Sequence, residues 1–336
     1  MALPLDVRDL MSSGAKLRAE REKPLRIAVF VDVEAPDAAV DALKEALRPQ
    51  MSTARIHVEP VTPGDVLIVD DLADIVVALT SPGATLARSL KESRDRFVPT
   101  ALLALGETRD AVARRLSHPV LDTLAAEKPE DLLAALGRWL SDRLEGKRVA
   151  LAANFEFVRR AVAEEAVKNT AFQNAVIGGV AIIPGADMPL MTANQAKMVL
   201  QIAAAYGQPL DAGRIKELGA VVGGAFVLRS VARQVLTLIP GFGWAIKAGI
   251  GYTGTLAMGY GAIEYFEGGG DADGLAEKMR EIRERVVSKA AGMRGRGEAE
   301  VIPAHAWVAE EGVAAADPAL PAAPGPSVAT VETGEL

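Results

Sequence analysis

The stretch over residues 174–266 constrains this chain more than any other. It is apolar, rich in glycine, and interrupted by Ile183-Pro184-Gly185 and Ile239-Pro240-Gly241. Proline removes a helical N–H and clashes with the preceding turn, so each break separates one helix from the next. In the last apolar run Gly249, Thr253, Ala257 and Gly261 fall four apart and form one ridge of small side chains, flanked by Gly251, Thr255 and Gly259. Small residues let helix backbones approach closely, in membranes and in tight soluble pairs alike. The pattern predicts an all-α domain whose ridge faces another helix, so that Gly251→Leu or Ala257→Leu would overpack the contact.

The chain before this stretch has a different period. Residues 6–21 have the spacing of a short lead helix, with Leu10 and Leu17 apolar, and Pro24 ends it. Ile27-Ala28-Val29-Phe30-Val31 has the length and β-branched content of a buried strand, and a helix follows over 37–47. Residues 56–61, 75–79 and 101–105 are further strand-like runs, separated by helical or polar material such as 84–96. Residues 129–144 form a closing helix with Pro129 at its start. Alternating strands and helices imply a mainly parallel sheet covered on both faces, a three-layer α/β domain.

With 336 residues there is room for two domains. The reading divides the chain into a lead helix (1–23), an α/β domain (24–146), a Gly-rich helical domain (150–291) and an Ala- and Pro-rich tail (292–336). The tail has no hydrophobic period and is expected to be disordered. Composition narrows the chemistry. Lys and Arg number 37 against 44 Asp and Glu, a formal charge of -7, so no nucleic-acid partner is expected. The chain has 0 Cys, which removes disulfides, thiolate catalysis and Cys-ligated metals. His57, His118 and His305 are isolated in sequence and make no ligand spacing.

Ligands of open parallel sheets sit at the carboxyl ends of the strands. After Val31 the chain reads Asp32-Val33-Glu34-Ala35-Pro36-Asp37, which has no glycine-rich phosphate loop and offers carboxylates that repel phosphate. Val61-Thr62-Pro63-Gly64 faintly resembles the Asp-x-x-Gly turn of GTPases, with Val in place of the magnesium-linked Asp. Gly106-Glu107-Thr108-Arg109-Asp110 departs in the same way from a guanine-specificity motif. The layout is similar to a GTPase domain without its nucleotide residues, and a flavodoxin-like or receiver-like domain fits as well. No catalytic residue, cofactor site or metal site is assigned. Asp32, Glu34, Asp37, Asp70, Asp71 and Asp74 could hold magnesium, but capping helices and turns is the favoured role.

In the helical domain the candidate structural or partner-contact residues are Pro184, Gly185, Asp187, Pro189, Asn194, Gln195, Pro240, Gly241 and Lys247. Asp187 stands at a helix junction, where a carboxylate can accept free N–H groups of the next helix. Asn194, Gln195 and Lys197 read as a solvated helix face, with a polar contact patch as the alternative. Lys247 interrupts an uncharged run over 235–263, where lysine either snorkels or marks an aqueous side.

A resemblance enters on these residues. Pro184-Gly185-Ala186-Asp187-Met188-Pro189-Leu190-Met191-Thr192, the helix after it ending in Tyr206-Gly207, and Leu238-Ile239-Pro240-Gly241-Phe242-Gly243 resemble the GTPase-associated helical domain of the YcjF-like family. The resemblance covers about residues 152–267. It implies a bacterial helical domain attached to or encoded beside GTPases and associated with the membrane, with no established catalysis.

A spanning helix needs about 20 mostly apolar residues. Only 235–263 is long enough, yet Pro240-Gly241 and Lys247 interrupt it, so embedded or re-entrant helices are expected in preference to independent spans. The chain begins without a basic segment and apolar run, so no secretory signal is predicted. Both flanks are expected in the cytoplasm, at the cytoplasmic membrane, with a wholly cytoplasmic protein as the alternative. The leading reading is a noncatalytic adaptor or regulator with lipid and a GTPase as partners. A divergent GTPase or hydrolase with its site near Asp32, Val61 and Gly106 is the second reading. A soluble domain that forms homo-oligomers through its Gly-rich helices is the third.

Overall fold

The computed structural model describes residues 7–62, 65, 68–70, 72–81, 98–116, 122–180, 187–213, 215, 218 and 243–269. They belong to one compact unit, Met1–Val287. The helical or polar material over 84–96, residues 219–242 with the Pro240-Gly241 break, and the tail lie outside the described residues.

Helix α1 (Val7–Arg21) leads into β1 (Leu25–Asp32), α2 (Asp37–Ala46), β2 (Ala54–Val61), β3 (Ile75–Thr80) and β4 (Thr100–Leu105). After these come α3 (Arg109–Leu116), β5 (Asp122–Ala126) and α4 (Pro129–Arg143). The sheet has the order β2-β1-β3-β4-β5 and every pairing is parallel, as the alternation of elements requires. Ile27 of β1 stands level with Ile56 of β2 and Ile75 of β3. All residues of β3 and β4 are buried, which is why both read as unbroken apolar runs. The sequence reading missed β5, whose five residues are all half-buried and include a single β-branched side chain, Thr123.

Alternate residues of each strand feed two cores. Ala28, Phe30, Val76, Ala78 and Leu102 point to one face, where Val112 of α3 covers them. Ile27, Val29, Ile75, Val77 and Leu103 point to the other, against Leu43 of α2 and Leu132, Leu136 and Leu140 of α4. This second core continues into the next helices, α5 (Arg148–Asn154) and α6 (Glu156–Val180), through Leu151, Phe155 and Val158. α5 and α6 are separate helices with one residue between them. Phe155 between them is extended, with φ -133 and ψ 116, and wholly buried. Asn154 holds the break by accepting the Met51 N–H on Oδ1 at 3.0 Å and donating Nδ2 to the Ala150 carbonyl.

Helix α7 (Asp187–Ala205) and helix α8 (Gly243–Glu267) complete the helical half. α7 takes Pro189 into its first turn, where the missing N–H has no helical partner to lose. It ends at Gly207, with φ +72; the Gly207 N–H donates to the Ala204 carbonyl and the Gln208 N–H to the Ala203 carbonyl, a Schellman ending. Leu10 and Leu17 of α1 join Val167, Met198, Ile202, Met258 and Ile263 in a third core. The lead helix thus packs with the helical half although the sheet follows it in sequence.

The ridge of small residues on α8 is not the contact face along its length. Thr253 and Ala257 are exposed and only Gly261 of its described side is buried, while Thr255 and Gly259 of the flanking stripe face α6. The four-residue spacing is common to both stripes, and what selects between them is the bulk of Met258, Ile263 and Phe266, which turn the helix inward on the Thr255 side.

Candidate functional site

Three helices meet at a buried polar network. Asn174 of α6 is wholly buried, and its Nδ2 donates to Thr255 Oγ1 at 3.0 Å and to the Met191 carbonyl at 3.4 Å. Its Oδ1 accepts from Asn194 Nδ2 at 3.1 Å. Gln195 Nε2 of α7 donates to the same Thr255 Oγ1 at 2.9 Å. These groups are amides and a hydroxyl, which neither carry charge nor exchange protons near neutral pH. What they do well is fix one register among helices, because each donor stranded in an apolar core is costly.

A second polar contact fixes the far end of the same helices. Tyr206 Oη donates to Glu267 Oε1 at 2.8 Å, and Arg160 donates to Glu267 Oε2 at 2.9 Å and to Glu164 Oε1 at 3.0 Å. Burial pushes the Tyr206 phenol well above its ordinary value, and the hydrogen bond to Glu267 adds to the shift. Pairing Asn174 with Thr255 and Arg160 with Glu267 makes α6 and α8 antiparallel.

Level with the network and beyond it, away from Glu267, apolar side chains face outward. Phe172 and Val176 on α6, Leu190 on α7 and Tyr252 on α8 are exposed, Phe172 by 68%. Phe172 and Val176 are one turn apart on one face. Lys168 precedes them by a further turn, and Lys197 lies on the exposed side of α7. Because Asn174 lies beside Met191 and Asn194 in antiparallel helices, Lys168 and Lys197 stand at about the same height, on the inner side of the apolar end.

The strand ends present a different chemistry. The strand order reverses between β1 and β3, the place where open sheets bind ligands. There Asp32 Oδ2 accepts from Ser81 Oγ at 2.8 Å, and Asp32 Oδ1 accepts the Glu34 N–H at 3.0 Å. Asp70 accepts the Leu72 N–H, and Asp74 accepts the Arg26 N–H and pairs with Lys147 at 2.6 Å. Asp32 and Asp70 hold turns, and Asp74, before β3, ties β1 to Lys147. Among the described residues no group of three or more His, Asp or Glu is placed to hold a metal ion. Val61 is buried, and Gly106, with φ +79, donates its N–H to the Ala126 carbonyl.

Of the residues singled out from sequence, Asn194 and Gln195 come together in the network. The expectation of a solvated face there is corrected: Gln195 is buried, Asn194 is half-buried, and only Lys197 of that group faces solvent. Asp187 is the first residue of α7, Pro189 is exposed in its first turn, and Lys247 lies in the second turn of α8. Pro184, Gly185, Pro240 and Gly241 lie outside the described residues. Asn174 and Thr255 were missed as polar partners. Their signal is a hydrogen-bonding side chain within an apolar helix, which must find a partner when buried. No known protein family, curated protein or solved structure matches the chain.

Proposed function

We propose that this protein is a noncatalytic, membrane-associated adaptor or regulator, which seats the apolar end of its helical domain in a lipid surface and serves a GTPase or a membrane process. The observation that carries the reading is the exposed set Phe172, Val176, Leu190 and Tyr252 at one end of the helices, with Lys168 and Lys197 behind it. Apolar side chains enter the acyl boundary while lysines behind them reach the headgroups. No described helix is long and apolar enough to cross a membrane, so the mode is seating in the interface. The GTPase partner rests on the resemblance of the helical domain to the GTPase-associated family.

Transferring one Phe or Leu side chain out of water gains about 1.5–3 kcal/mol, and each lysine near an anionic surface about 1 kcal/mol. In flotation with vesicles of phosphatidylcholine and phosphatidylserine the full chain is expected to rise with the lipid. Phe172→Glu and Leu190→Glu should each lower the partition by roughly tenfold or more. A chain that stays in the dense fraction, or variants that float like the parent, would overturn the proposal.

A further inference from the structure

A cavity of about 460 Å³ opens between α1, α5, the end of α7 and the turn over 208–211. That lies within the roughly 300–1,000 Å³ range of small-molecule sites. Its walls are apolar, from Leu17 of α1, Val149 of α5, and Ala204 and Leu210 on and after α7. Two cations also line it, Arg18 and Arg21, three residues apart on α1 and so on one face of that helix.

The two arginines stand in different states. Arg18 is held in the wall, where its guanidinium donates to the Leu210 carbonyl. Arg21 Nε is buried without a hydrogen-bond partner. A buried donor of this kind almost always has an acceptor, and for a guanidinium the matching acceptor is a planar anion that takes two N–H groups at once. Asp211 also lines the cavity, and the Glu20 carboxylate accepts the Val149 N–H at 3.2 Å on its α5 side.

We propose that this cavity binds a fatty acid, its carboxylate held by Arg21 beside Arg18 and its alkyl chain lying along Leu17, Val149 and Ala204. A planar carboxylate matches the fork of the Arg21 guanidinium, and the apolar walls match an alkyl chain. The cavity is separate from the exposed apolar end, so the inference goes beyond membrane seating and does not depend on it.

The test is calorimetry on the full chain with laurate below its micelle concentration, and with lauryl alcohol as the uncharged control. Saturable binding of one laurate per chain is expected, weakened about tenfold in Arg21→Gln and with lauryl alcohol. Ala204→Leu fills the apolar part and should abolish binding; its melting curve, read beside that of Arg21→Gln, shows that both variants are folded. Three results would overturn the proposal: no saturable binding by the parent chain, equal binding of laurate and lauryl alcohol, or laurate binding undiminished in both variants.

Discussion

Thr255 carries more than one hydroxyl's share of the helical core, because its Oγ1 accepts from both Asn174 and Gln195. Valine has nearly the same shape and no acceptor. Thr255→Val therefore keeps the packing and strips two buried amides of a shared partner, at a cost of about 1–3 kcal/mol. A lower urea midpoint with an unchanged slope is the expected result, and an unchanged midpoint would mean that the network contributes nothing net. Residues of this kind were half legible in the sequence. Asn194 and Gln195 were recognisable as polar, but adjacent residues on a helix point about 100° apart, and which of them is buried depends on the neighbouring helices. The partner that decides it, Thr255, lies 60 residues from Gln195. The strand-end carboxylates were easier, since Asp32 and Asp70 bond N–H groups two residues on, a local preference of Asp in turns.

The contact between α6 and α8 depends on a missing side chain. A Cβ built on Gly259 would lie 2.4 Å from Val167 Cγ2 and 2.6 Å from Cγ1, and a β-branched valine in a helix has little rotamer freedom to give way. Gly259→Ala gains about 1 kcal/mol of helix propensity, against about 1–3 kcal/mol for overpacking. A net loss of up to about 2 kcal/mol is expected, and trimming the neighbour with Val167→Ala should restore part of it in a double-mutant cycle. Ala257→Leu, on the exposed stripe, should change stability by less than about 0.5 kcal/mol. A Gly259→Ala variant more stable than the parent by about 1 kcal/mol would refute the close approach, and a large loss in Ala257→Leu would refute the assignment of the facing stripe. At this scale the central strands were plain in the sequence because burial on both faces leaves no polar residue to interrupt them. β5 at the sheet edge was not, for want of β-branched residues, and neither was α5, whose seven residues are too few to show a helical period.

Sheet and helices read in the sequence as neighbours joined near residue 147, and the packing across that point is continuous. Phe155 and Val158 complete the core that begins with Ile27, Val29 and Leu103. Gly137 of α4 lies so close to α6 that a Cβ there would be 3.0 Å from the Phe157 carbonyl oxygen. Lys147 ties the same junction to the sheet through the Pro24 carbonyl and Asp74. Alternating strands and helices reveal an α/β layer readily, but nothing in a linear pattern says which helices cover which face once the strands end. The physical consequence is cooperative. Truncating Phe155 to Ala removes a wholly buried ring from the surface that both halves share, at a cost of about 3–5 kcal/mol. If the halves unfold as one, urea denaturation of Phe155→Ala stays a single transition at a lower midpoint. Amide exchange then quickens together in β1, β3, α6 and α7, because a shared core sets one opening free energy for all of them. Sheet amides that keep the protection of the parent while those of α6 and α7 lose theirs would show that the helical half opens alone, with the core divided at Phe155.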